Sequence, residues 1–169
     1  MIDPMLAEFA HEMATTRKML EILPEKNLAW KPDPKSMSLG RLASHIAEMP
    51  AFAGKALSTE VFDIDPTSGK PLSYEPLDLK TVKEILEAFD KNVAGAESAM
   101  KTATDDQLLK TWTLQKQGKA LFSMPRIAVL RAMVFSHVFH HRGQLSVYLR
   151  LNNVPLPSVY GPTADSPGM

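Results

Sequence analysis

A chain of 169 residues, 44% hydrophobic and 22% charged, is long enough for one domain with a real core and too short for two ordinary ones. Its 19 basic and 19 acidic residues cancel, so the basic footprint expected of a nucleic-acid binder is missing. The lack of cysteine excludes disulfides, thiolate ligands and a cysteine nucleophile, which leaves His, Asp, Glu or water for any metal site.

The N-terminal stretch MIDPMLAEFAHEMATTRK has an early Asp3, no basic leader and no sustained apolar run, so it does not read as a secretory signal. No segment approaches the ~20 apolar residues of a membrane span, and the cytoplasm is the expected location. From about Pro4 to Leu23, Leu6, Phe9, Met13, Leu20 and Leu23 recur at near-helical spacing, and Pro24 ends the pattern. A polar, proline-containing connection follows. Ser38 is then placed to cap a second helix, LGRLASHIAEMPAFAGKAL, whose inward stripe is Leu42, His45, Met49, Phe52 and Ala56. Pro50 lies inside it and predicts a kink, or an early stop near Met49.

Residues from Thr59 to Leu79, with Pro66, Gly69, Pro71 and Pro76, read as a long crossover loop. Thr81 with Glu84 three residues on is a capping-box pattern opening a third helix to about Thr102. Residues 104–124 read as a short helical turn and then the irregular TWTLQKQGKALFS, in which pairing of TWTLQ with KALFS is left open. The fourth helix starts near Met124-Pro125 and runs to about Asn152, ahead of an extended or looped tail. Four amphipathic helices with one long crossover predict an all-α fold, a four-helix bundle of up-down-down-up type spanning residues 1–169 as one domain.

Of five histidines, the informative group is SHVFHHRGQL on the fourth helix. His137 and His141 are four apart and so project from one face, where two imidazoles can reach one ion. His140 competes at three-residue spacing. The stripe Leu130, Met133 or Val134, His137, His141, Leu145 and Tyr148 assigns His137 and His141 inward and His140 to a flank, supporting a ligand or facing substrate. His45 on an apolar face is, taken alone, more simply a core histidine with one satisfied hydrogen bond. Three inward imidazoles without partners would cost on the order of several kcal/mol, which a shared ion removes. The other reading, a polar bundle core or solvent-facing histidines, stays open on spacing alone. His11 has no partner at metal spacing and reads as structural or surface.

Glu48, three residues after His45, lies within reach as a general base or as an acceptor behind a ligand, although a solvated helix-face carboxylate is the simpler reading. Three protein nitrogens leave a coordination position open for water or substrate, which is the catalytic pattern. Ser44 sits mid-helix with no strand-to-helix elbow, so a serine hydrolase is not indicated. Trp30 and Trp112 read as packing residues at helix ends or as pocket lining, and the ten methionines suit an adaptable core.

LPEKNLAWKPDPKSMSLGRLASHIAEM resembles the first signature of the DinB/YfiT-like family, a Trp-x-Pro element ahead of a Ser-led helix bearing a histidine. HVFHHRGQLSVYLR resembles its second signature, and VPLPSVYGPTADS its tail. The resemblance covers the chain from end to end. It implies a helical bundle with a three-histidine site for zinc, nickel or a similar divalent ion, here on His45, His137 and His141, and a homodimer. It also implies thiol-dependent transferase or isomerase chemistry on a small molecule as one class. The expectation is therefore a metal-dependent enzyme, a transferase using a low-molecular-weight thiol or a hydrolase, with a water or thiol activated at the metal and Glu48 and His140 as further candidates. The alternative is a non-catalytic metal- or small-ligand-binding bundle of the stress-response kind.

Overall fold

The computed structural model describes residues 1–66 and 74–166. Helix α1, Ile2–Glu21, buries Met5, Phe9, Met13 and Leu20 along one face and leaves His11 exposed. A 3-10 turn, Glu25–Asn27, leads to α2, Leu39–Glu48, whose Ser38 hydroxyl accepts the Arg41 N–H at 3.1 Å. Helix α3, Ala51–Ser58, continues α2 through Met49 and Pro50, both with helical backbone angles. Proline has no N–H to donate back, so the helical hydrogen-bond ladder is interrupted at Met49 and Pro50, the early stop that the sequence offered beside a kink.

Strand β1, Val61–Asp63, is followed by the rest of the crossover and by α4, Val82–Thr102, which opens on a complete capping box between Thr81 and Glu84. Then come α5, Asp105–Leu109, and the strands β2, Thr111–Lys116, and β3, Lys119–Pro125. The last rod is continuous: α6, Arg126–Val129, a π-helical stretch Leu130–Ser136, and α7, His137–Leu151. It stops where Asn153 takes a positive φ of 56°. Helices α1 and α2 each pack on both α4 and α7, and Phe9, Leu42, Ile46, Ile85, Phe89 and Leu145 are among the side chains filling the shared interior. No helix among the described residues is long and apolar enough to cross a membrane.

The fold is mostly helical, but the all-α expectation is corrected by a three-stranded sheet ordered β1-β2-β3. TWTLQ and KALFS pair antiparallel, Trp112 opposite Met124 and Leu114 opposite Phe122. Their turn places Gln117 and Gly118 at φ of 51° and 74°, the positive pair a tight two-residue hairpin requires. Strand β1, inside the stretch read as loop, adds parallel to β2 with Val61 opposite Thr113. Asp63 ties it to the turn by accepting the N–H groups of Gln117 and Gly118 and the Gln115 side-chain amide. Gly69 and Pro71 of the expected loop lie outside the described residues, as do residues 167–169 of the tail.

The sheet is held on α3 by Trp112, which is fully buried on β2 and not at a helix end as expected. Its ring meets Phe52 at 5.8 Å and its indole N–H reaches the Thr59 hydroxyl at 3.1 Å. Arg126, at the start of the last rod, donates to the Ala56 and Thr59 carbonyls at 2.8 Å each and so closes the C-terminal end of α3.

Candidate metal centre

Helix α2 delivers His45, and α7, packed against it, delivers His137 and His141. Ring centroids lie 4.6 Å apart for His45 and His141, 4.7 Å for His137 and His141, and 5.2 Å for His45 and His137. One nitrogen from each ring falls within 4.8 Å of the others. Ligands to one ion at ~2.1 Å stand ~3–3.5 Å apart, so small side-chain rotations suffice to close the set.

On two of the rings the second nitrogen is already engaged. His45 Nδ1 lies 2.5 Å from Glu48 Oε1, and His141 Nδ1 lies 2.7 Å from Gln144 Oε1. A carboxylate and an amide oxygen can only accept, so both Nδ1 atoms carry the proton and both Nε2 atoms keep their lone pairs. The same spacing of three along a helix produces both pairs, His45 with Glu48 and His141 with Gln144. Such support normally stands behind metal-binding histidines, orienting the ring and raising its basicity.

Burial pushes His141 down to about 4, against the opposing hydrogen bond to the Gln144 oxygen, and its histidine neighbours push the same way. Burial likewise lowers His137, reinforced by His45 and His140 and opposed by the Met133 carbonyl. Both rings are therefore neutral at ordinary pH, the form a metal needs. His140 is exposed on the flank, its ring 4.8 Å from that of His141.

Glu48 is not the solvated carboxylate its helix position suggested. It is 9% exposed, because residues of the crossover lie over it. Tyr74 donates its hydroxyl to Oε1 at 2.7 Å, the Leu77 N–H donates to Oε2 at 2.7 Å, and Arg41 Nη2 reaches Oε1 at 3.3 Å. Burial would raise the Glu48 carboxyl, but the hydrogen bonds from His45, Leu77 and Tyr74 and the charge of Arg41 hold it below its ordinary value. Tyr74, buried beside that carboxylate, is pushed up to about 12. Arg41 Nη1 is buried with no hydrogen-bond partner among the described residues.

His45 and His137 open onto a cavity of about 220 Å³ walled by Met49, Phe52, Ile64, Leu114 and Met133, with Tyr74 and Glu48 at its edge. Leu114 comes from β2 and Ile64 from the end of β1, so the unexpected sheet completes this wall. Sequence reasoning missed Tyr74, Gln144 and the cavity wall. Gln144 carried a usable signal in its spacing from His141, whereas Tyr74, Ile64 and Leu114 are distant in sequence from every histidine.

Arg142, next to His141, is buried and pairs with Glu12 of α1 at 2.7 Å. It also donates to the Glu12 carbonyl and the Thr16 hydroxyl, each at 3.1 Å, and to the Tyr160 hydroxyl of the tail at 2.6 Å. This contact fixes α7, and with it two of the three histidines, against α1.

A match to the DinB superfamily spans residues 8–145, from α1 through all three histidines. The chain belongs to the DinB superfamily. Over 164 residues it is 24% identical to the uncharacterised protein YrdA of Bacillus subtilis (strain 168), covering 97% of this chain and 90% of that one. Its fold is similar to the crystal structure of a DinB-like protein from Bacillus cereus ATCC 10987, with a TM-score of 0.67, 25% identity and coverage of 92% and 95% of the two chains. A second similar crystal structure is that of the DinB-like protein YjoA from Bacillus subtilis, with a TM-score of 0.69, 17% identity and coverage of 94% and 98%. The three-histidine cluster of this DinB-superfamily chain could hold a metal ion.

Proposed function

We propose that this DinB-superfamily protein is a metal-dependent enzyme that binds one divalent ion, zinc or nickel, through His45, His137 and His141 and acts on a small molecule in the adjoining cavity. The observation that carries this reading is the pairing of three convergent imidazoles, two with Nδ1 held by Glu48 and Gln144, with an apolar cavity on their open side. The donor set fits a divalent ion: borderline nitrogen ligands, His137 and His141 held neutral by burial, on two elements held by the core. Three protein nitrogens leave room for a further ligand, the arrangement of catalytic rather than closed structural sites.

An ion in this position supplies Lewis acidity, which lowers the pKa of a thiol or a water. We place the thiol first on the family resemblance. Glu48 accepts from His45 Nδ1, the Tyr74 hydroxyl and the Leu77 N–H, and so serves to position His45. Met49, Phe52, Ile64, Leu114 and Met133 exclude water and receive the apolar part of an electrophilic substrate. His140, exposed beside His141, does not line this cavity and is kept as a candidate on its nearness to His141 alone. We take the working unit to be a homodimer in the cytoplasm with no nucleic-acid partner, on the family resemblance and the sequence alone.

Elemental analysis of wild type beside His141→Ala tests the site. About one equivalent of zinc or nickel per chain, lost in the variant, is expected. No metal after reconstitution would sink the reading. Turnover of an electrophile panel with and without N-acetylcysteine then separates thiol transfer from hydrolysis, the latter proceeding without added thiol.

A further inference from the structure

We infer that Tyr74 is a positioning residue for the metal centre: its hydroxyl, through Glu48, sets the orientation of His45. A carboxylate oxygen offers two lone-pair directions, and Glu48 Oε1 uses them on His45 Nδ1 at 2.5 Å and on the Tyr74 hydroxyl at 2.7 Å. The other oxygen takes the Leu77 N–H at 2.7 Å. Arg41 is a weaker partner, 3.3 Å away with its second amino nitrogen unbonded among the described residues. The carboxylate plane is thus defined by two bonds from residues 74–77 of the crossover and one from His45. The crossover is fastened to the same helix once more, where the Leu79 N–H donates to the Ser44 hydroxyl at 3.0 Å while that hydroxyl donates to the Gly40 carbonyl at 2.8 Å.

The crossover is therefore stitched along α2 at Ser44 and Glu48, on either side of His45, and its attachment decides which way the imidazole faces. Tyr74 also walls the cavity on the histidines' open side, so the residue that holds Glu48 is one a bound molecule touches. Removing its hydroxyl leaves Oε1 with His45 and the long Arg41 contact, and the carboxylate gains freedom to turn about Leu77. The imidazole then loses a fixed acceptor, and the Nδ1 proton exchanges with water.

Tyr74→Phe tests this with two readouts, the second of which rests on the metal reading above. In metal-free protein, the His45 Nδ1 proton is observed by NMR, assigned through its loss in His45→Gln. It is expected to be visible in wild type and broadened away by exchange in Tyr74→Phe, with circular dichroism unchanged. Glu48→Ala, which removes the acceptor outright, is expected to show the same loss, which guards against misreading a local repacking at residue 74. Zinc affinity, measured by chelator competition, is expected to fall roughly tenfold in Tyr74→Phe, at the low end of the 10–100-fold typical for groups supporting a ligand. An unchanged His45 proton in Tyr74→Phe overturns the inference, whatever the zinc result. Wild type that binds no zinc while its His45 proton depends on Tyr74 upholds the inference and removes the metal reading alone.

Discussion

Arg142→Met isolates the energy of the buried contact that fixes α7 on α1. The side chains of Arg142 and Glu12 are only 3% and 8% exposed. In the variant the Glu12 carboxylate keeps the Tyr160 hydroxyl at 2.9 Å as its donor but loses the guanidinium at 2.7 Å. A buried charge stripped of its partner costs about 3–5 kcal/mol. The methionine retains most of the packing volume against Phe139, so a cavity contributes little. For a domain of this size the loss corresponds to a fall in Tm of roughly 6–20 °C, at ~2–4 °C per kcal/mol. Urea unfolding of wild type, Arg142→Met, Glu12→Gln and the double variant gives the coupling directly. The double variant should recover at least half of the Arg142→Met loss, because no uncompensated charge remains. A cost below about 1 kcal/mol for Arg142→Met, or a double variant no better than the single, would refute the reasoning that a desolvated pair fixes this helix.

Two glycines in helices should respond oppositely to alanine. A Cβ at Gly40 would stand 3.1 Å from the Leu28 carbonyl oxygen and 3.2 Å from Leu28 Cβ, and the Gly40 N–H already donates to that oxygen. Gly40→Ala should therefore lower stability by about 1 kcal/mol despite its better helix propensity. Gly95 in α4 meets nothing within 4 Å, and Gly95→Ala should raise stability by up to ~1 kcal/mol; both are read by urea midpoint. The third prediction concerns acid. His141 titrates at about 4 when folded, below the ordinary histidine value of 6.5, so the unfolded chain takes up its proton first. Metal-free protein should lose stability as pH falls below 6.5, with the full penalty reached below about 4, and His141→Gln should flatten that limb. An equally steep limb in the variant would assign the acid sensitivity elsewhere.

The local signals were legible because they depend on near neighbours along the chain. Ser38 and the Thr81–Glu84 pair cap the helices where their chemistry places them, and Pro50 divides α2 from α3 just after Met49. The inward placement of His45, His137 and His141 follows from helical period, which needs only spacing and an apolar stripe. The hairpin was hard to read because Gln117-Gly118 lacks the usual Asn-Gly or Asp-Gly signature, and three residues of β1 make no pattern at all.

What the sequence by itself determined is a cysteine-free, mainly helical chain with three histidines on core-facing stripes. Tertiary structure alone decided the environment of those rings. Glu48 became a buried acceptor because Tyr74 and Leu77, 26 and 29 residues further on, fold over it. The cavity acquired its apolar wall because a parallel pairing brings Ile64 beside the strand carrying Leu114. Burial and long-range hydrogen bonds are properties of surfaces brought together in space, and residue spacing along one helix cannot report what a distant segment will lay upon it.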